Sequence, residues 1–437
     1  MDLVLSGQED SLIEQLNFKL SNTSSFAQER RLVSAYPSGA SQFAPDGVKV
    51  ARFVLTGENW LDPATLRLAF KLKNTSPDQT LQLVSGPWCL IDQCRLLIGG
   101  VEAERIGPYY GRQHELFNSL LQSNAYNVES TTEDGQVYDP NVYPQVQPKT
   151  IGPGQSISLN LTPLLGILRA NKYLPLRMLG MQLEFTLANA SEALHPNSAS
   201  QQYQIEQAQM RMSVVRLDSA LENSFNSLLL SGRSISWSVR TLHLQQAALP
   251  NGSTEVQVSM VRALSRLAAI FVTFAGAPTY LDAAGNTLAT PANLRHLHKS
   301  FLNPTAFING NPIGTADEAL LQWQLQIGSK SWPEAAPSSN LAETFSLLRQ
   351  TMGTYDETLR TSSITEAGYR QNQFVIGVPL SVIPGASFSG LNTRSGDLLT
   401  FRATNLNDGI RAAGRCFVHM VSEQIIELRE SGVSILD

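Results

Sequence analysis

The sequence predicts an all-β chain of two tandem β-sandwiches, and three observations carry that expectation. The same order of elements is written twice, from Val48 to about Leu217 and again from Val256 to about Leu428: two strands, a strand ending in Ile-Gly, a short amphipathic helix and three more strands. Apolar and polar residues alternate through most of these segments. Successive strand side chains point to opposite faces, so such a segment buries one face and wets the other, as an antiparallel sandwich requires. The length, 437 residues, divides into two units of ordinary sandwich size, each able to bury its own core.

Residues 1–45 stand apart. Within Asp10–Leu16 the apolar positions Leu12, Ile13 and Leu16 have helical spacing, but over only about two turns, which is marginal for a lone helix in water. The stretch that follows to Pro45 is rich in Ser, Ala, Gln and Gly. The segment reads as an N-terminal arm, without a core strand, ordered against a partner or the body of the protein.

The first sandwich is expected over 46–230. Val48–Val54 and the Leu66/Leu68/Phe70/Leu72 segment form its first two strands, with Gly57-Glu58-Asn59 turning between them. Arg95-Leu96-Leu97-Ile98-Gly99 ends a third. Gly107-Pro108 starts a helix from about Tyr109 to Gln122, with Leu116, Phe117, Leu120 and Leu121 expected to face its own sandwich. After a polar loop over 123–153 come Ser156–Leu165, the alternating Met181/Leu183/Phe185/Leu187 strand and the Ala208/Met210/Met212/Val214 strand. The bridge, 217–236, reads helical at first, with Leu217/Leu221 and Phe225/Leu228/Leu229 recurring at spacings of three or four.

The second sandwich, 231–437, repeats this plan. Gln324-Leu325-Gln326-Ile327-Gly328 matches the Ile98 strand, and a helix from Asn340 to Met352, with Leu341, Phe345 and Leu348 inward, matches the first helix. One gap aligns Ile98 with Ile327 and Phe117 with Phe345. Phe374–Val382, then Leu399/Phe401/Ala403, then Cys416/Val418/Met420 complete it. The longest insertion, 277–319, falls between strands, where a β-scaffold places variable function.

Composition narrows the function. Lys and Arg number 32 against 37 Asp and Glu, a net charge of −5 with no basic run, so direct nucleic-acid binding is not expected. The N-terminal residues lack a basic segment followed by an apolar core, and no stretch approaches the run of roughly 18 apolar residues that a spanning helix needs, so the expected setting is the cytosol or nucleus. The sequons at Asn22, Asn74, Asn160, Asn189 and Asn251 are then chance occurrences in an Asn/Ser/Thr-rich chain. Cys89, Cys94 and Cys416 are too few and too scattered for a disulfide framework or zinc site and read as buried thiols.

No catalytic, cofactor or metal site is expected. His296 and His298 are the one histidine pair at strand spacing, with Asp282 and Glu318 distant in sequence, and read as a solvated loop pair. His114-Glu115 lies on the first helix without the second histidine of a metalloprotease motif. Glu102 and Glu104 alternate on one strand and read as exposed carboxylates, since spacing alone does not make a glycosidase pair. Nucleophile-elbow and phosphate-loop motifs are missing from the sequence. Trp60, Trp88, Trp237, Trp323 and Trp332 lie in or beside predicted strands, where core packing is their common role.

The order of strands, the Gly86-Pro87-Trp88 segment, Arg95–Val101, the helix opening on Tyr109 and Tyr110, and Tyr173-Leu174-Pro175-Leu176 before Leu183-Glu184-Phe185 resemble the double jelly-roll major capsid proteins. Those of polinton-like viruses and virophages are most similar, with adenovirus hexon and the tailless membrane-containing phages as distant relatives. The resemblance covers about Val48 to the C-terminus. It implies two eight-stranded jelly rolls per chain, a homotrimer of pseudo-hexagonal outline, and an icosahedral shell of a DNA virus whose partners are neighbouring capsomers, penton and minor capsid proteins. The chain is short for that lineage, which implies small outer towers. Contact with an internal membrane is left undecided by the sequence. The competing expectation is a glycan-binding or glycan-processing protein on the same double-sandwich scaffold.

Overall fold

The computed structural model describes residues 26–121, 131–138, 146–195, 198–250, 253–275, 301–304, 307–308, 311–312, 321–334, 341–353, 362–371, 373–381, 389–394, 398–406 and 414–436. The Leu12/Ile13/Leu16 stripe and most of the 277–319 insertion lie outside them, as do Asp282, His296, His298 and Glu318.

The first sandwich contains β1 (Ala27–Ala35), β2 (Val50–Leu55), β3 (Trp60–Asn74), β4 (Ile91–Ile98), β5 (Val101–Ile106), β6 (Ser156–Leu161), β7 (Met181–Leu187) and β8 (Tyr203–Leu217). Its sheets run in the order β1-β8-β3-β6 and β2-β7-β4-β5, with every neighbour antiparallel. The second contains β9 (Ile235–Leu249), β10 (Glu255–Met260), β11 (Leu267–Ala275), β12 (Gln322–Ile327), β13 (Lys330–Trp332), β14 (Ile376–Pro379), β15 (Leu399–Thr404) and β16 (Gly414–Arg429). Its sheets run β9-β16-β11-β14 and β10-β15-β12-β13. Adding eight to each label of the first sandwich gives the second, and this wrapping of two sheets by crossing connections is a jelly roll. A last strand, β17 (Gly432–Leu436), turns back onto the end of β16.

Register confirms the match of the halves. Met181 of β7 lies between Leu55 and Ile98, and Leu399 of β15 lies between Met260 and Ile327. Alternation buries Ala51, Phe53 and Leu55 on β2, and Val256, Val258 and Met260 on β10, against the facing sheet. The bridge is α2 (Ser219–Leu230), capped by Asp218, whose carboxylate accepts the Ala220 amide at 3.1 Å, with α1 (Tyr110–Leu121) and α3 (Leu341–Thr351) in the loops. Phe225 of α2 packs against Trp60 with the rings tilted and their centroids 5.0 Å apart, holding the bridge against β3.

Two expectations are corrected. β1 lies inside the segment 1–45 assigned to the arm, yet Ala27–Ala35 pairs with Met210–Leu217, so the first sheet begins before residue 46. Its sequence, AQERRLVSA, carries little alternation because the strand is exposed on both faces along most of its length. The second correction is the placement of α1, which does not simply cap its own sandwich. Leu116, Phe117 and Leu120 are buried, but Leu121 is half exposed and the helix lies between the two sandwiches.

Candidate functional site at the junction of the two sandwiches

Arg112, on the first turn of α1, has no accessible surface. Gly107 and Tyr109, both at positive φ, bend the chain into that turn, and the Tyr109 amide is held by the Asp92 carboxylate at 3.0 Å. The guanidinium then reaches into the second sandwich. It donates to Thr273 Oγ1 at 3.0 Å and to the Phe274 carbonyl at 3.2 Å, and lies over the rings of Phe417 at 4.5 Å and Phe301 at 4.7 Å. Burial lowers its pKa to about 9, but it stays a cation at neutral pH, held by ring faces and oxygens.

Around it the contact is aromatic. Phe117 meets Phe271 edge to face at 5.6 Å, Tyr109 meets Phe417 in the same manner at 5.6 Å, and Arg415 both stacks on Tyr109 and donates to its hydroxyl. His419 is fully buried beside Phe417, its Nε2 3.3 Å from Thr273 Oγ1. Burial and then the nearby Arg112 hold it well below the usual histidine range, hence neutral. Burial raises the Cys416 thiol, so it is inert. All three cysteines are buried thiols, as expected, and the Cys89 thiol donates to the Ala193 carbonyl at 3.3 Å.

A second line of contact runs along β5 and β9. Gln424 donates to the Ala103 carbonyl at 2.8 Å. The turn Gly166–Arg169 sits on the open edge of β9, so close that a Cβ on Gly166 would overlap the Arg240 carbonyl oxygen. Glu104 anchors that turn by accepting the Gly166 amide at 2.8 and 3.0 Å. Glu104 is therefore not the exposed carboxylate expected. A register shift between Leu96 and Leu97 turns it inward, while Glu102 stays outside, paired with Arg95 at 2.8 Å. Burial raises the Glu104 carboxyl to about 8.

His114 is half-buried between Trp88 and Tyr110, at ring distances of 4.6 and 5.8 Å. Its Nε2 lies 3.0 Å from the Thr162 carbonyl, which assigns the ring proton to that nitrogen, and burial lowers its pKa to about 4. Glu115 accepts from Ser85 and from the Trp88 indole. These residues brace the start of α1 and form no reactive pair. His243 lies 3.0 Å from Ser422 Oγ, a spacing a nucleophile and base would have, but both sit between packed strands and burial holds the imidazole neutral, near 3. Among the described residues, no group of three His, Cys, Asp or Glu side chains converges on a metal position, and no helix is long and apolar enough to cross a membrane. Trp60, Trp88, Trp237 and Trp323 are buried and Trp332 is half-buried against Trp323, so they pack the cores. Sequence reasoning missed Arg112 and Tyr109. The available signal was Leu267–Ala275, LAAIFVTFA, a continuous apolar run of the kind that marks a strand covered on both faces.

Two jelly rolls of one plan, in contact within one chain, are matched by solved structures over almost the full length. The quasi-atomic model of the PBCV-1 virus capsid aligns with a TM-score of 0.61 at 12% identity, over 93% of this chain and 96% of that one. The fold is the double jelly roll. The Faustovirus major capsid protein aligns at 0.60 with 8% identity, over 96% of this double jelly roll and 92% of that chain. The Sputnik virophage structure aligns at 0.57 with 11% identity, over 97% and 91%. No family model and no curated protein matches the sequence.

Proposed function

We propose that this chain is a structural major capsid protein, not an enzyme, which trimerises into pseudo-hexagonal capsomers and tiles an icosahedral viral shell. The observation that carries the reading is the junction. Two like sandwiches held side by side by a buried aromatic and cationic seat offer two corners of a hexagon, and three chains about a closed threefold axis supply six. Full-length likeness in fold to capsid subunits supports it. In this reading the first jelly roll ends with α2 near residue 230, the second spans 231–437, and the arm is what precedes β1. The partners are neighbouring capsomers, penton and minor capsid proteins, and the chain resides in the virion after assembly in the host cytoplasm or nucleus. The net charge of −5 suits a shell protein that does not bind the genome directly. The glycan reading loses support from the buried tryptophans, which present no stacking platform.

Light scattering on the purified chain tests the proposal. The expected mass is roughly three times that of the 47.8 kDa chain. A stable monomer at micromolar concentration would overturn it.

A further inference from the structure

The two edge strands β1 and β9 occupy the same place in their sandwiches but meet different surroundings. Met210 pairs with Ala35 and Leu68, and Met420 pairs with His243 and Ile270. Matching the two methionines makes Leu32 the counterpart of Arg240. At both positions the backbone faces the open edge. Ser213, opposite Leu32, donates its amide to Thr65 Oγ1 at 2.8 Å, and Glu423, opposite Arg240, donates to the Arg266 carbonyl at 3.0 Å, so neither amide turns toward the edge strand. At Arg240 the edge is closed by the Gly166 turn of the first sandwich. At Leu32 no strand or turn among the described residues closes it: Leu32 and Tyr36 are each 71% exposed and Phe26 is 56% exposed.

An edge strand of nine residues that exposes Leu32 and is flanked by the exposed Phe26 and Tyr36 is a template for association unless something covers it. The chain itself shows what covers such an edge. Within one copy the first sandwich presents a turn and the second presents an edge, so the edge of the first is left over. A head-to-tail contact that closes into a ring uses every such surface once. We infer that β1, around Leu32, is the surface on which the second sandwich of another copy docks, repeating between chains the contact made within the chain. This rests on the trimer proposed above.

Two measurements on the full-length protein test it. Leu32→Asp, which sets a charge in the centre of the contact, should raise the concentration for half-dissociation by about tenfold or more, with circular dichroism unchanged. Val261→Asp, at a position 81% exposed elsewhere on the second sandwich, should leave the mass unchanged. A trimer equally stable with Asp at 32 would overturn the inference and leave the trimer standing; a monomeric wild type would remove both. A photo-reactive benzoylphenylalanine at position 32 identifies the occupant: a two-chain product joined to a peptide from 231–437 is expected, and capture of residues 1–25 or of the first sandwich would overturn it.

Discussion

The strands β3 and β11 hold the same position in the two jelly rolls and are solvated differently. β11 is buried at all nine residues, Leu267–Ala275, whereas β3 alternates, with Leu66, Leu68, Phe70 and Leu72 inside and Arg67, Lys71 and Lys73 toward solvent. The difference is made by α1. Its Arg112 and Phe117 press on the outer face of β11 at Thr273 and Phe271, while among the described residues the matching face of β3 keeps Arg67, Lys71 and Lys73 partly exposed. Two copies of one architecture thus diverge because one lies inside the molecule's own interface, and a doubly buried strand is the local record of a domain contact.

The comparison breaks most sharply at Arg112. Arg112→Ala removes two hydrogen bonds and two ring contacts and leaves a cavity between the sandwiches, so chemical denaturation should show a loss of about 3–5 kcal/mol. Loss below about 1 kcal/mol would show that the seat does not hold the sandwiches together. Phe117→Ala should cost about 3 kcal/mol or more, because the ring is buried against Phe271. Its counterpart Phe345 is only half-buried, meeting Tyr369 edge to face at 4.9 Å, so Phe345→Ala should cost clearly less. Equal costs would mean that the two helices do the same work.

A smaller effect separates matched charges on the outer faces. Glu184 is nearly buried between Arg52 at 2.8 Å and Arg95 at 3.0 Å, whereas its counterpart Arg402 pairs with Glu255 at 3.5 Å, with both side chains mostly exposed. Glu184→Gln should cost about 1–3 kcal/mol and Arg402→Gln under about 0.5 kcal/mol in the same assay.

The pH dependence sharpens the picture further. His114, near 4, His243, near 3, and the deeply lowered His419 are neutral in the fold, so their contribution is present above the ordinary histidine pKa of about 6.5 and is lost as pH falls through these values. Glu104, raised to about 8, acts in the opposite sense: its contribution is full below the ordinary carboxylate value of about 4.5 and is lost as pH rises through about 8. Melting temperature should fall below about pH 4.5, where only the histidines act, and again from about pH 6.5 to about 8, where only Glu104 acts, the two opposing each other in between. Glu104→Gln should remove the fall toward pH 8 and leave the fall below about pH 4.5 unchanged, and a fall toward pH 8 unaltered by that change would assign it elsewhere.

Much of this fold was legible in the residues, for a physical reason: alternation marks a half-buried strand, and the repeat set Ile98 with Ile327 and Phe117 with Phe345. β1 was not legible, because Gln28–Arg31 are exposed on both faces and only pairing to β8 makes them a strand. The junction was not legible either. An arginine on a helix reads as solvated until the fold shows Phe301 and Phe417 on either side of it. Glu104 escaped because a bulge, not spacing, sets its direction.

In the proposed capsomer, two unequal jelly rolls make a third of a closed tile. Electron microscopy of the purified full-length chain tests it most directly. The account predicts six-cornered particles in which three copies alternate their two sandwiches around one axis. Isolated two-lobed particles at micromolar concentration, with no closed ring, would contradict it.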